Sequence, residues 1–189
     1  MDAASLTGGF ADQPIDAAAA FRAAMTAMAR PGTIQIAAGG TGPAPMSAAA
    51  ATLLLTVADA ETPVHLAGAF DAPLIRDWLT FHTSAPIVEA RHAMFAVGDW
   101  ASLQPLERFA VGVPEYPDRS ATLIVEVDEL SATGARLTGP GIETAAALSL
   151  PETAAFQANR ALFPLGLDFY FCAGDRLAAL PRTTTVEAV

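Results

Sequence analysis

The sequence predicts an α/β protein built as a layered mixed sheet flanked by helices. Three observations carry this. Helical and strand-like stretches alternate along most of the chain, the pattern of layered α/β folds. "ATLIVEV" (Ala121 to Val127) is apolar on both faces, as a central strand must be. "FYFCA" and "RLAAL" face each other around Gly174-Asp175 and read as a hairpin, which makes the sheet antiparallel at one edge.

From Pro14 to Arg30, apolar residues recur at Ile15, Ala18, Phe21, Met25 and Met28, the spacing of an amphipathic helix. Asp12 stands where a cap would, Pro14 suits the first turn, and Pro31-Gly32 ends the helix. "TIQIA" alternates as a strand, and "GGTGPAP" (Gly39 to Pro45) is a loop. Ser47 caps a second helix running to about Asp59, with Leu54 and Val57 on its buried face. "PVHLA" (Pro63 to Ala67) is a short strand. Asp71 to Thr83 is a helix with Leu74, Ile75, Trp78, Leu79 and Phe81 mostly inward. "HAMFAVGD" is a strand, and Asp99 then caps a helix over "WASLQPLERF" in which Pro105 threatens the register. "GVPEYPDRS" reads as a loop, "GARLTGPGIE" as a strand closing in a tight turn, and "LPETAAFQANRALF" as a helix entered through Pro151. No repeat and no charged linker interrupts the chain, so residues 1–189 read as one domain.

Composition excludes several chemistries. Hydrophobic residues make up 52% of the 189 and charged residues 16%, a globular balance. The net charge of −10 opposes binding to nucleic acid or to anionic membranes. "MDAASLTGGFADQ" lacks the basic start of a signal peptide, and the run Ala48 to Ala58 is too short to cross a bilayer. The expectation is a cytoplasmic protein. All ten basic residues are arginine. Without lysine there is no amine for a pyridoxal phosphate (PLP) Schiff base and none for a Walker A loop. The one cysteine, Cys172, cannot hold an iron–sulfur cluster, and its aromatic strand setting suits a buried small residue. His65, His82 and His92 show no metal-ligand spacing, so no metal site is expected.

The remaining candidates each have a plain structural alternative. Gly139 and Gly141 in "LTGPGIE" could aim N–H groups at an anion, but Pro140 removes one donor and a tight turn explains them better. His82 in "FHTSAP" is a candidate acid or base, or else a residue that complements a helix C-terminus. Asp59 and Glu61 could act as bases or lie in a solvated turn. Arg182 with Thr183 and Thr184 could grip a phosphate or phosphonate, because guanidinium donates two parallel hydrogen bonds. The same residues also suit the polar end of an edge strand or a subunit contact.

Seven segments taken in order resemble one family. "FRAAMTAMARPGTI", "LLLTVADAETPV", "FHTSAP", "ATLIVEV", "LTGPGIE", "FPLGLD" and "LPRTTTV" resemble the H subunit of the bacterial carbon–phosphorus lyase system (PhnH), over about Phe21 to Val186. The resemblance implies a fold like the large domain of PLP-dependent transferases, without that cofactor. It implies a homodimer that joins the G, I and J subunits in alkylphosphonate catabolism. It also implies that the G, H and I subunits, with the L protein, form ribose 1-methylphosphonate 5-triphosphate from ATP and methylphosphonate. Radical cleavage by an iron–sulfur cluster would belong to the J subunit. Many members carry a basic or His residue where this chain has Thr185, which moves Arg182 toward a structural role paired with an acidic neighbour. The resemblance supplies no established catalytic residue. The expected function is therefore an assisting subunit. The alternatives are a stand-alone enzyme using His82 and Arg182 on a phosphorylated nucleoside, or a module binding a phosphonate or nucleotide.

Overall fold

A computed structural model describes residues 7–188. The signal-peptide reading rests partly on Met1 to Leu6, which lie outside the described residues. In chain order the helices are α1 (Gln13–Ala29), α2 (Ala48–Val57), α3 (Pro73–Thr83) and α4 (Ala154–Ala161). The early strands are β1 (Gln35–Ile36), β2 (Val64–Leu66) and β3 (Phe95–Asp99). The middle of the chain forms β4 (Val111–Val113), β5 (Tyr116–Ser120), β6 (Thr122–Glu126), β7 (Ala135–Thr138) and β8 (Ala146–Leu148). The last three are β9 (Asp168–Ala173), β10 (Arg176–Leu180) and β11 (Thr185–Glu187).

The main sheet has six strands in the order β1-β10-β9-β6-β3-β2. β2, β3, β6 and β9 run parallel, while β10 and β1 each pair antiparallel with their neighbour. The apolar stretch Thr122–Glu126 sits between two parallel strands, and Leu123, Ile124 and Val125 are fully buried. Each such side chain contributes about 1.5–3 kcal/mol by leaving water.

Side chains alternate across this sheet into two cores. Val97, Ile124, Tyr170 and Ala179 face one way, toward α1, α2 and α3. Ala96, Leu123, Phe169, Phe171 and Leu180 face the other way, toward α4 and the three-stranded sheet β11-β7-β8. The result is three layers around a mixed sheet, with the hairpin at Gly174-Asp175 supplying the antiparallel side, as the sequence predicts.

Four local expectations fail for identifiable reasons. Of the apolar stripe of α1, only Met28 packs against the core, and the rest faces solvent. Ile15, Phe21 and Met25 are 65%, 54% and 53% exposed, and the buried side is Ala20, Ala24 and Ala27. Small residues let the helix lie close on α2 and β10, so volume overrides hydrophobicity. On α3, Phe81 is 50% exposed while Ile75, Trp78 and Leu79 are buried. "WASLQPLERF" forms no α-helix: Asp99 caps only a turn, its Oδ1 accepting the Ser102 N–H at 2.7 Å, and a 3-10 turn over Leu106–Arg108 follows. Pro105 removes the N–H that a helix would need there. "GVPEYPDRS" is not a loop but the hairpin β4–β5, bulged where Gly112 takes φ +83°. Strand β8 also forms where no strand is expected, and β11 follows the stretch for which an edge strand is one alternative.

Candidate functional site

Arg182 sits just past β10, at the start of β9, half-buried among fixed acceptors. Its Nη2 lies 2.6 Å from Asp168 Oδ2, its Nε 3.2 Å from Oδ1, and its own backbone N–H donates to Oδ1 at 2.8 Å. Nη1 donates to the Pro117 carbonyl at 2.8 Å, and Nη2 also donates to Ser120 Oγ. The Arg182 side chain is 12% exposed and that of Asp168 22%. One guanidinium thus pins the β4–β5 hairpin to the central strand β9, with the fork geometry that suits a carboxylate. The acidic partner is Asp168.

The two threonines face different tasks. Thr184 is buried, its N–H donates to the Pro181 carbonyl at 2.9 Å, and its hydroxyl has no hydrogen-bond partner among the described residues. Thr183 places its carbonyl so close to Gly139 that a Cβ there would stand 3.1 Å from it. The "LTGPGIE" turn is therefore packed backbone to backbone. The Ile142 N–H donates to the Gly139 carbonyl at 3.1 Å, and a Cβ on Gly141 would meet the Ala29 carbonyl at 2.1 Å.

His82 lies at the end of α3, its ring 5.2 Å from Trp78 and 4.9 Å from Phe81, with Nε2 3.2 Å from the Thr7 carbonyl. Among the described residues, no hydrogen bond or ion pair joins His82 to Arg182. The two belong to elements at different places along the sheet. Asp59 accepts from the Thr62 hydroxyl and the Glu61 N–H, which lower its carboxyl pKa from the ordinary value as part of a turn. Cys172 is buried, and burial pushes its thiol well up. Among the described residues, no group of three His, Cys, Asp or Glu comes together to hold a metal ion. No described helix is long and apolar enough to cross a membrane.

Sheets of this kind bind ligands beyond the carboxyl ends of their parallel strands. There the structure has an opening of about 450 Å³ between the ends of β3 and β6, lined by Asp99, Trp100, Glu126, Asp128 and Glu129. Glu126 is the residue that sequence reasoning missed. It ends the central strand, its Oε1 accepts the Ser47 N–H at 2.7 Å, and burial pushes its carboxyl pKa up. A charged residue closing an apolar strand is ordinary, so only the fold reveals its place at the N-terminus of α2. Four carboxylates around one opening repel phosphate and phosphonate alike.

A second cleft of about 390 Å³ lies between the 104–111 segment and α4. Leu106, Phe109, Val111, Leu162 and Leu167 make it largely apolar, and the Gln104 Nε2 has no hydrogen-bond partner among the described residues. Asn159, also lining it, is satisfied: it donates to the Leu167 carbonyl at 2.9 Å and accepts the Leu167 N–H at 2.8 Å.

Fold and site together define a layered α/β protein whose strongest ionic cluster braces its own chain and whose apolar surface is partly uncovered. Residues 8–187 match the model of the family described as "Bacterial phosphonate metabolism protein (PhnH)", and the chain belongs to that family. It is 38% identical over 192 residues to "Alpha-D-ribose 1-methylphosphonate 5-triphosphate synthase subunit PhnH" of Rhizobium meliloti (strain 1021), covering 96% of this chain and 95% of that protein. It is 29% identical over 177 residues to a protein of Stutzerimonas stutzeri described as a C-P lyase subunit protein, HtxG, covering 89% and 84%. The family named from seven segments is the family found.

Proposed function

We propose that this chain is a subunit of a carbon–phosphorus lyase assembly in alkylphosphonate catabolism. It assists formation of ribose 1-methylphosphonate 5-triphosphate and contributes shape and contacts rather than a self-contained active site. The observation that carries this reading is 38% identity, across almost the whole of both chains, to a protein named as a subunit of that synthase. The separation of His82 from Arg182 and the acidic lining of the opening at Glu126 support an assisting role. The finer parts of the reading are a homodimer, partners equivalent to the G, I and J subunits, a cytoplasmic location, and a fold like the large domain of PLP-dependent transferases without PLP. Native mass spectrometry of the chain mixed with those subunits tests it. A stoichiometric complex is expected, and two sets of unmixed components would refute it.

A second reading, a binding module, is favoured by the apolar cleft with a Gln104 Nε2 that has no partner among the described residues. On this reading Arg182, Thr183 and Thr184 contribute only if a ligand displaces the bonds that hold the Arg182 guanidinium to Asp168, Pro117 and Ser120. Calorimetric titration with ATP and with methylphosphonate tests it, and absence of heat at millimolar ligand rejects it.

A further inference from the structure

We infer that the outward face of α1 is the surface through which this chain docks onto a different subunit, one presenting an apolar strip edged with carboxylates. The inference rests on the subunit reading above and gives it a location.

The face is set by helical geometry. At 100° per residue, Phe21, Met25, Ala18, Ala29, Arg22 and Ile15 fall in one arc of about 120°, opposite the buried Ala20, Ala24 and Ala27. Ile15, Phe21 and Met25 are each more than half exposed. Such a row, rimmed by charge, marks a contact surface on a folded protein, and helix faces of this spacing lie in apolar grooves. The inner side fits the same purpose: with only alanines buried, α1 sits tightly on α2 and β10, and the Tyr170 hydroxyl donates to the Ala24 carbonyl at 3.3 Å. Ile15, Phe21 and Met25 are left over for another molecule.

Charge selects the occupant. Arg22 lies within the arc and Arg30 follows the helix, both exposed and neither in an ion pair among the described residues. The whole chain carries −10, so this face is basic against an acidic background. A two-fold contact centred on this patch would bring Arg22, near its middle, close to its own copy. Like charges across an interface cost affinity, whereas carboxylates on a different partner gain it. An anionic bilayer would oppose the net charge of the chain.

The test measures association of the purified chain with the remaining subunits of the phosphonate assembly. The double variant Phe21→Glu/Met25→Glu and, separately, Arg22→Glu are compared with the unaltered chain. All three positions are exposed, so circular dichroism and the thermal midpoint should be unchanged. The expected result is at least tenfold weaker association for each variant. Equal association of folded variants would overturn the inference while leaving the subunit reading intact. It would equally fall if the isolated chain formed a dimer that the variants split, or bound phosphatidylglycerol vesicles through this face. Failure of the unaltered chain to associate would remove the subunit reading itself.

Discussion

Arg182 joins three parts of the chain: the end of β10, the start of β9 through Asp168, and the β4–β5 hairpin through Pro117 and Ser120. Removing the guanidinium leaves Asp168 without its ion pair at a site where that carboxylate is 22% exposed. Arg182→Ala should therefore cost about 2–4 kcal/mol, somewhat below the penalty for a fully buried pair, as read from urea unfolding. Lysine should restore little, because it cannot reproduce the fork. Glu126 gives a pH signature. Burial raises its folded-state pKa above the ordinary 4.5, so the folded state binds that proton more tightly than the unfolded chain. Stability from this group is greatest below 4.5 and falls as pH rises from there through the raised value. Glu126→Gln keeps an acceptor for the Ser47 N–H and should flatten that decline in denaturation curves taken from pH 4 to 8. At this scale the sequence was partly legible. An acidic partner for Arg182 was expected, but its identity depends on β9 and β10 meeting across a turn. Glu126 was invisible because its environment comes from α2, 79 positions away.

Elements with strong local signals formed where expected. Ser47 caps α2, its Oγ accepting the Ala50 N–H at 3.1 Å, and the apolar run at Thr122–Glu126 is a central strand. Where signals were mixed, tertiary packing decided. In α1 the periodicity was right and the side was wrong, because alanines fit a close helix–sheet contact better than Phe21 or Met25. In "WASLQPLERF" a single proline outweighed the helical pattern. Two substitutions probe this level. Leu123→Ala empties a fully buried site beneath α4 and the small sheet and should cost about 2–5 kcal/mol in thermal or urea unfolding. Gly141→Ala combines φ +82° with a Cβ 2.1 Å from the Ala29 carbonyl. The backbone conformation alone should cost about 1–3 kcal/mol. The clash adds to that, and hydrogen exchange should quicken at the end of α1.

At the scale of the whole molecule, the layered architecture and the family were both readable in order and spacing, since each depends on many weak local features that agree. The partner surface was not, because no single sequence says which apolar residues stay outside. The account holds that this chain works through contact with other subunits. Native mass spectrometry of the unaltered chain with and without the remaining subunits, run beside a turnover assay on the chain alone, tests that most directly. It predicts a defined complex in the mixture and no conversion of methylphosphonate by the isolated chain. A chain that ignores every subunit, or converts the phosphonate unaided, would contradict it.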